Sequence, residues 1–551
     1  MPKHLDLRPN QALLNLQFEK YQFSSELIPI DDEKELPIEL LRIEPLPGQD
    51  SWLETRIFAF HNHLFKNPFD SSCWFYDQNY QVFRLQQDGT LNLVYSFSTA
   101  QFDKKTIKFN PTISFASDDI VVLTGVNNNL IIMITSPNKS SHKSLELNDI
   151  EQGILLDSRY IKEKSLLTII MSCIIEENGK KKSKLIIVLY SLNIEEDTVK
   201  DIDHLIQRQE LIVNGAIEYA YIESNGDFIN LLSQEMAKFT FDSLKGIQME
   251  ESINEPIIKI PKYSWSQDED SLTVWVKIPT KYQGAKPKII ISPIKISITV
   301  NNDTIIQGDF KFRIDHEASV WNFEEETLKI ELMKHESGQM WDELIINDTD
   351  GECIPNEALA AEIHSRLSHL CTEQQDGNNE QSVIGFNSEQ LEECDLEDND
   401  NTLQRINLKT QTTTNFAIFG SRNRVLFGYK SKSCQILCSR YDHDACIWEL
   451  KDSRSDDWAI SHTTTFPGFG YVEASKNNKK FCLLAPNFSY IAIIEHSKYG
   501  FLYERPNKNE RVAKQRIIDL GSDTQPILGA VATNENIFIL TKDKLYSLKV
   551  I

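Results

Sequence analysis

The densest set of reactive side chains in the 551-residue chain is Cys434, Cys438, His443 and Cys446, thiolate and imidazole donors of the kind that hold zinc tetrahedrally. Their spacing, C-x3-C-x4-H-x2-C, departs from the usual zinc patterns, and Gln435 to Ser439 reads as a strand. Buried thiols beside a turn histidine are the preferred reading, and no metal is expected. Carboxylates are abundant, 81 in all, and a pair facing a closed channel could serve acid–base hydrolysis. Sequence cannot measure their separation. The chain has no Gly-rich phosphate loop, since Gly420, Gly428, Gly468 and Gly470 read as turn glycines, and no G-x-S-x-G or H-E-x-x-H. The reading is therefore non-enzymatic, without cofactor, and a hydrolase is kept as the alternative.

The elements around these residues are short strands. From Trp52 to Met249 apolar or alternating runs alternate with turns: Cys73 to Leu85, Asp88-Gly89, Leu91 to Phe97; Leu166 to Ile175, Asn178-Gly179, Leu185 to Leu192; Tyr219 to Glu223, Asn225-Gly226, Phe228 to Leu232. Asn-Gly and Asp-Gly tolerate positive φ at a hairpin turn, which is why they mark antiparallel pairs. Helical spacing is confined to short pieces such as Asp201 to Gln209. The same texture returns after Arg405 and runs to Val550. Both flanks, residues 1–258 and 405–551, are too long for a sandwich; at roughly 40 to 50 residues per four-stranded blade they supply about seven blades of a β-propeller. Tyr441-Asp442-His443-Asp444-Ala445-Cys446-Ile447-Trp448-Glu449 looks like the end of a WD-type repeat, with Glu where Asp is usual.

Residues 259–352 differ. Tyr263 to Gln267, Leu272 to Pro279, Ile289 to Ile291, Lys295 to Val300, Gly308 to Ile314, Leu328 to Met333 and Leu344 to Ile346 predict a compact antiparallel sandwich. After it, residues 353–404 combine a helix over Asn356 to Cys371, with Leu359, Ile363, Leu367 and Leu370 on one face, and a flexible acidic linker rich in Glu389, Glu392, Glu393, Asp395, Glu397, Asp398 and Asp400. The expected fold class is all-β: a degenerate WD-like propeller built from both ends of the chain, with the sandwich inserted.

The inserted module resembles the CS domain of the NudC family. The matching residues are Tyr263, Trp265, Gln267, Pro279, Gly308, Ile314, Ser319, Trp321, Leu328, Ile330, Leu332, Lys334, Trp341 and Asp348. Trp275 stands where the family often has a smaller residue. Leu391 to Asp395, Gly470 to Lys476, Ala485 to Tyr490, Pro526 to Gly529 and Ala532 to Glu535 look like the C-terminal region of a long member of that family, whose layout this chain shares. The resemblance implies a co-chaperone or adaptor that links clients to the heat-shock protein 90 chaperone. The clients it implies are β-propeller proteins, with vesicle-coat subunits as candidates; a structural subunit of a trafficking or scaffold complex is a further alternative. The partner-binding candidates are Tyr263, Trp265, Trp275, Trp321 and Trp341. For Trp265, Trp321 and Trp341 core and strand-edge packing is the plainer reading, whereas Trp275 suits an exposed face.

A net charge of −24 makes nucleic acid a poor ligand, because phosphate binding draws on Lys and Arg. No run reaches the roughly 18 apolar residues of a membrane span, and Met1 to Asn10 is not followed by a signal-peptide core, so no membrane insertion is expected. Nine scattered cysteines fit a reducing compartment, and cytoplasmic placement follows. Lys180-Lys181-Lys182-Ser183-Lys184 is a candidate nuclear-import signal, against the plainer reading of a solvated hairpin tip.

Overall fold

A computed structural model describes residues 2–550 apart from 47–49, 98–107, 126–128, 147–151, 247–261, 283–285, 354–400, 452–457 and scattered shorter gaps. The helix expected over Asn356 to Cys371 and the acidic segment to Asp400 lie outside the described residues. The chain divides into two units, Met1–Gln248 with Gln374–Ile551, and Met249–Glu373. Among the described residues no helix is long and apolar enough to cross a membrane.

Among the described residues the first unit holds seven sheets, antiparallel apart from two added N-terminal strands, each blade running outward from its first strand. Blade 1 is Phe65–Lys66, Cys73–Tyr76, Gln81–Leu85 and Leu91–Ser96; blade 2 is Ile113–Phe115, Ile120–Thr124, Asn129–Ser136 and Lys139–Glu146. Blade 3 is Gly153–Ile161, Leu166–Glu177, Lys180–Glu195 and Thr198–Val213, with Lys238–Asp242 added outside. Blade 4 is Ile217–Ile222, Phe228–Ser233, Asn401–Asn407 and Thr412–Phe419. Blade 5 is Val425–Lys430, Gln435–Tyr441, Asp444–Lys451 and Ala459–Phe466; blade 6 is Lys479–Leu484, Tyr490–Glu495, Tyr499–Glu504 and Val512–Asp519; blade 7 is Gly529–Ala532, Asn536–Leu540 and Lys544–Lys549.

Shared cores show that the seven sheets form a ring. Trp74, Tyr76 and Val82 of blade 1 pack with Phe115, Val121 and Leu123 of blade 2; the next core joins Val122 and Ile132 to Leu167 and Ile169 of blade 3. Ile170 and Ile187 then meet Ile222 and Ile229 of blade 4, and Leu403 and Phe419 meet Leu437 and Trp448 of blade 5. Between blades 5 and 6 sits the helix Phe469–Ala474, whose Phe469 packs edge-on against Tyr503, 5.6 Å between ring centres. Blade 6 shares Ala492 and Leu502 with Ile537 and Ile539 of blade 7, and Val531 and Phe538 of blade 7 return to Phe75 and Leu85 of blade 1. Middle strands are covered on both faces, so Leu166–Glu177 is buried almost continuously instead of alternating.

The N-terminus closes the ring. Ile30–Glu35 pairs antiparallel with Lys544–Lys549 as the fourth strand of blade 7, and Lys20–Leu27 adds a parallel fifth strand to blade 6. Lys3–His4 pairs in parallel with Thr412–Phe419 of blade 4. The second unit enters the chain inside blade 4: Phe228–Ser233 pairs with Asn401–Asn407, Ile229 opposite Ile406. A long insertion there costs little, because loop-closure entropy grows only logarithmically.

Three expectations are corrected; Tyr471 to Ala474, expected as one of the short strands after Arg405, lies in the helix Phe469–Ala474. Asp201 to Gln209 is no helix; it lies within the strand Thr198–Val213, where Leu205 opposes Tyr190 and Gln209 opposes Ile187. Its apolar spacing was too short to outweigh pairing along a long hairpin. Conversely, the segment starting at Trp52 opens with a helix, Trp52–Ala59, under a capping box of Ser51 and Glu54.

Candidate functional site

The second unit is built on alternation. Its five-stranded sheet runs Ile314–Glu324, Thr327–Lys334, Ser271–Lys277, Tyr263–Gln267 and Gly351–Cys353; a second sheet holds Lys288–Ser292, Lys295–Val300 and Asp303–Asp309. Leu272, Val274, Val276, Leu328, Ile330 and Leu332 face one core with Ile296, Ile298 and Val300.

The residues singled out by sequence separate into two groups. Tyr263, Trp265 and Trp341 are buried in that core, where they present no ring to a partner in this conformation. The Tyr263 hydroxyl donates to Asp348 at 2.7 Å. Gln267 donates to the Trp341 carbonyl at 2.7 Å and accepts from the Trp341 amide at 2.8 Å, and Lys334 donates to Gln267 and to the Asp268 carbonyl. Phe310 and Phe312 meet the Trp341 ring edge-on. Gly308 is required by packing, since a Cβ there would lie 2.2 Å from Ile345 Cγ2.

Trp275 and Trp321 reach the surface. Trp275 is half-buried on the outer face, opposite Lys329. Trp321 is 53% exposed and Val320 58% exposed. Both sit on Ile314–Glu324, the end strand of the sheet, after a bulge where the register jumps from Asp315–Met333 to Val320–Glu331. Ser319 holds this bulge: its hydroxyl donates to the Asp315 carbonyl at 2.7 Å and accepts from the Met333 amide at 3.1 Å. Because Trp321 opposes Ile330 and Val320 opposes Glu331, the edge carries an exposed apolar group on each face. Sequence reasoning missed Val320; the only signal was an apolar pair, Val320-Trp321, that breaks the alternation of its strand.

In the propeller, the buried carboxylate of Asp157 is committed to contacts between blades. Lys430 of blade 5 donates to Asp157 and the Ser158 carbonyl of blade 3 and to the Phe115 carbonyl of blade 2. Asp157 also accepts from the Ile222 amide at 2.7 Å. Lys66 of blade 1 donates to the Ala532 carbonyl of blade 7 and stands 5.9 Å from the Tyr429 ring centre of blade 5. Side chains from opposite blades thus meet.

The four potential zinc ligands do not converge. Cys438 lies opposite Ile447 and Cys446 opposite Ser439, which puts the two thiols on opposite faces of blade 5. His443 is exposed in the turn, and burial pushes the Cys446 thiol up to about 12. Trp448 donates to Ser439 at 2.9 Å, knitting the WD-like segment into its hairpin. Lys181 and Lys182 pair with Glu176 and Glu177 across the hairpin at Gly179.

His61 and His63 are buried beside blade 1, ring centres 4.4 Å apart. Burial, and secondarily the charge of Lys480, pulls His61 down to about 3. The folded state holds it neutral, whereas the unfolded chain takes up a proton near 6.5, so stability is full above pH 6.5 and falls as pH drops toward 3. At pH 5 the loss from this group alone is on the order of 2 kcal/mol. Denaturant midpoints at pH 7.5 and pH 5 should show it, and His61→Phe should reduce the dependence, leaving the part that the likewise buried His63 contributes.

Comparison with known proteins follows this division. The CS domain family model matches residues 261–334. NudC domain-containing protein 1 of Mus musculus is 29% identical over 587 aligned positions, covering 99% of this chain and 98% of the relative. The Xenopus laevis protein of that name is 32% identical over 368 positions, 63% of this chain and 62% of the relative. Among solved structures, a nuclear movement protein from E. cuniculi GB-M1 covers 15% of this chain and 99% of its own at 19% identity, TM-score 0.14. Sqt1 from Chaetomium thermophilum covers 89% of this chain and 97% of its own at 9% identity, TM-score 0.32.

Proposed function

For a chain that carries a CS domain and is similar along its whole length to NudC domain-containing protein 1, we propose a non-enzymatic co-chaperone or adaptor. It recruits client proteins, β-propeller proteins such as vesicle-coat subunits among them, to the heat-shock protein 90 chaperone in the cytoplasm. The observation that carries this reading is the end strand Ile314–Glu324, which offers backbone at a sheet edge together with Trp321 and Val320. Sheet edges invite pairing with another chain, and a tryptophan at such a contact typically dominates the binding energy. The absence of disulfides among the described cysteines supports a reducing compartment.

Trp321→Ala should weaken binding of the full chain to purified chaperone, or to a β-propeller client, by about tenfold or more. Being half-exposed, Trp321 should cost less than about 1 kcal/mol of stability when truncated. Fluorescence anisotropy with both partners, alongside a thermal melt, reads the two effects separately. Affinity for both partners unchanged from the parent would sink this use of the edge. An unchanged interactor set after removal of residues 260–352 would sink the adaptor reading itself.

A further inference from the structure

Between blades 3 and 4 lies a cavity of about 220 Å³ with no part in the role just described. Its floor follows from strand register: Thr168, Leu189 and Gln207 stand in one row across blade 3, and Ile187 with Gln209 in the next. Deeper in the same interface, Ile170, Leu185 and Leu211 are packed solidly against Ile222, Ile229 and Leu231 of blade 4. At the cavity, blade 4 supplies only the turn Asn225-Gly226-Asp227 and the start of the turn at Leu408-Lys409, too little side chain to fill the space.

Five of the thirteen lining residues are aliphatic, Ile161, Leu166, Ile187, Leu189 and Leu408. One deep polar atom is unsatisfied: the Thr168 hydroxyl is buried and has no hydrogen-bond partner. Such an atom costs free energy unless something pairs with it. It lies beside the bare Gly226, where a Cβ would stand 3.9 Å from Thr168 Oγ1 and 2.1 Å from Ile161 Cδ1. The neighbouring glutamines are engaged, because Gln207 and Gln209 both donate to Asp242. At the mouth, Lys164 and Lys409 share the single carboxylate of Asp227, which leaves one positive charge over at the rim.

We propose that this cavity binds a neutral, mostly apolar group of one ring's size bearing a single hydroxyl, a phenol, with that hydroxyl paired to Thr168. An apolar cavity of about 150 Å³ is enough for benzene, so a substituted ring fits this one. A phenolic hydroxyl both donates and accepts, as the threonine hydroxyl does. The same chemistry reaches the site as a free small phenol or as a tyrosyl side chain.

The test is methyl NMR on the full chain, isoleucine and leucine labelled, titrated with p-cresol, with its isostere toluene, and with N-acetyltyrosinamide. The expected result is saturable p-cresol shifts at Ile161, Ile187, Leu166, Leu189 and Leu408, with toluene weaker. Thr168→Val should weaken p-cresol about fivefold and leave toluene unchanged. Leu189→Trp, which fills the space, should abolish both. N-acetyltyrosinamide shifting the same methyls assigns a side-chain source, and p-cresol alone assigns a free phenol. Toluene binding as well as p-cresol, Thr168→Val without effect, or no shift at these methyls up to the solubility limit would each overturn the proposal.

Discussion

Replacing Arg405 by leucine is expected to destabilise the protein by about 3 to 5 kcal/mol, the usual cost of stranding one member of a fully buried ion pair. Arg405 and Glu223 are 0% and 1% exposed, and the guanidinium forms a two-pronged contact with the carboxylate at 2.7 and 2.8 Å. Its charge also sits 3.9 Å from the Phe228 ring centre, and Asn230 donates to Glu223. These residues come from opposite sides of the insertion, so the pair ties together the two stretches of chain that form blade 4. Arg405→Met combined with Glu223→Leu should recover most of the loss, since an apolar pair of similar volume strands no charge. Equilibrium denaturation of both variants checks this; a single variant within about 1 kcal/mol of the parent would mean that water reaches Glu223.

Deleting residues 1–36 should have the larger effect, a loss above about 5 kcal/mol or failure to accumulate as soluble protein. The deletion removes Tyr21 and Ile28, both 2% exposed. Tyr21 packs edge-on against Phe18 and Tyr503 with ring centres 5.0 Å apart, and Ile28 belongs to the core shared by blades 6 and 7. Truncating one such aromatic costs roughly 3 to 5 kcal/mol, and Tyr21→Ala should show that part alone. The deletion also bares Val512–Asp519 and Lys544–Lys549 as unpaired edges, an invitation to aggregate. Limited proteolysis should cut these strands first. Unchanged thermal unfolding after the deletion would show that the ring does not depend on its N-terminal strands.

The outermost strands were the least legible part of the fold. Ile30–Glu35 reads Ile-Asp-Asp-Glu-Lys-Glu and is mostly solvated, so it lacks the apolar run that marks an inner strand. Its identity comes from its partner, Lys544–Lys549, at the other end of the chain. The helix at Trp52–Ala59 was legible and overlooked: Ser51 followed three residues later by Glu54 is a capping box. Asp201 to Gln209 shows the reverse failure, a weak local helical spacing overridden by hydrogen bonding to Lys180–Glu195.

Within the candidate site, residue type identified the module but not the roles. Tyr263, Gln267, Lys334 and Trp341 read as one motif, yet Gln267, Lys334 and Trp341 bond to one another and Tyr263 to Asp348, and they hold the sandwich together. Trp321 and Trp341 could not be told apart by composition. One falls on an end strand after a Ser319-bound bulge, the other between two phenylalanines.

By itself the sequence determined what depends on near neighbours: short strands, their turns, an all-β ring of about seven blades and a tryptophan-bearing sandwich. Hydrophobic alternation and turn chemistry act over a few residues, so they are written locally. Only the tertiary structure decided which strand closes each blade, which tryptophans face water, and that Lys430 and Lys66 reach groups on other blades. Those outcomes depend on pairings between residues that range from several to hundreds of positions apart, and no local pattern records the partner a strand or side chain will find.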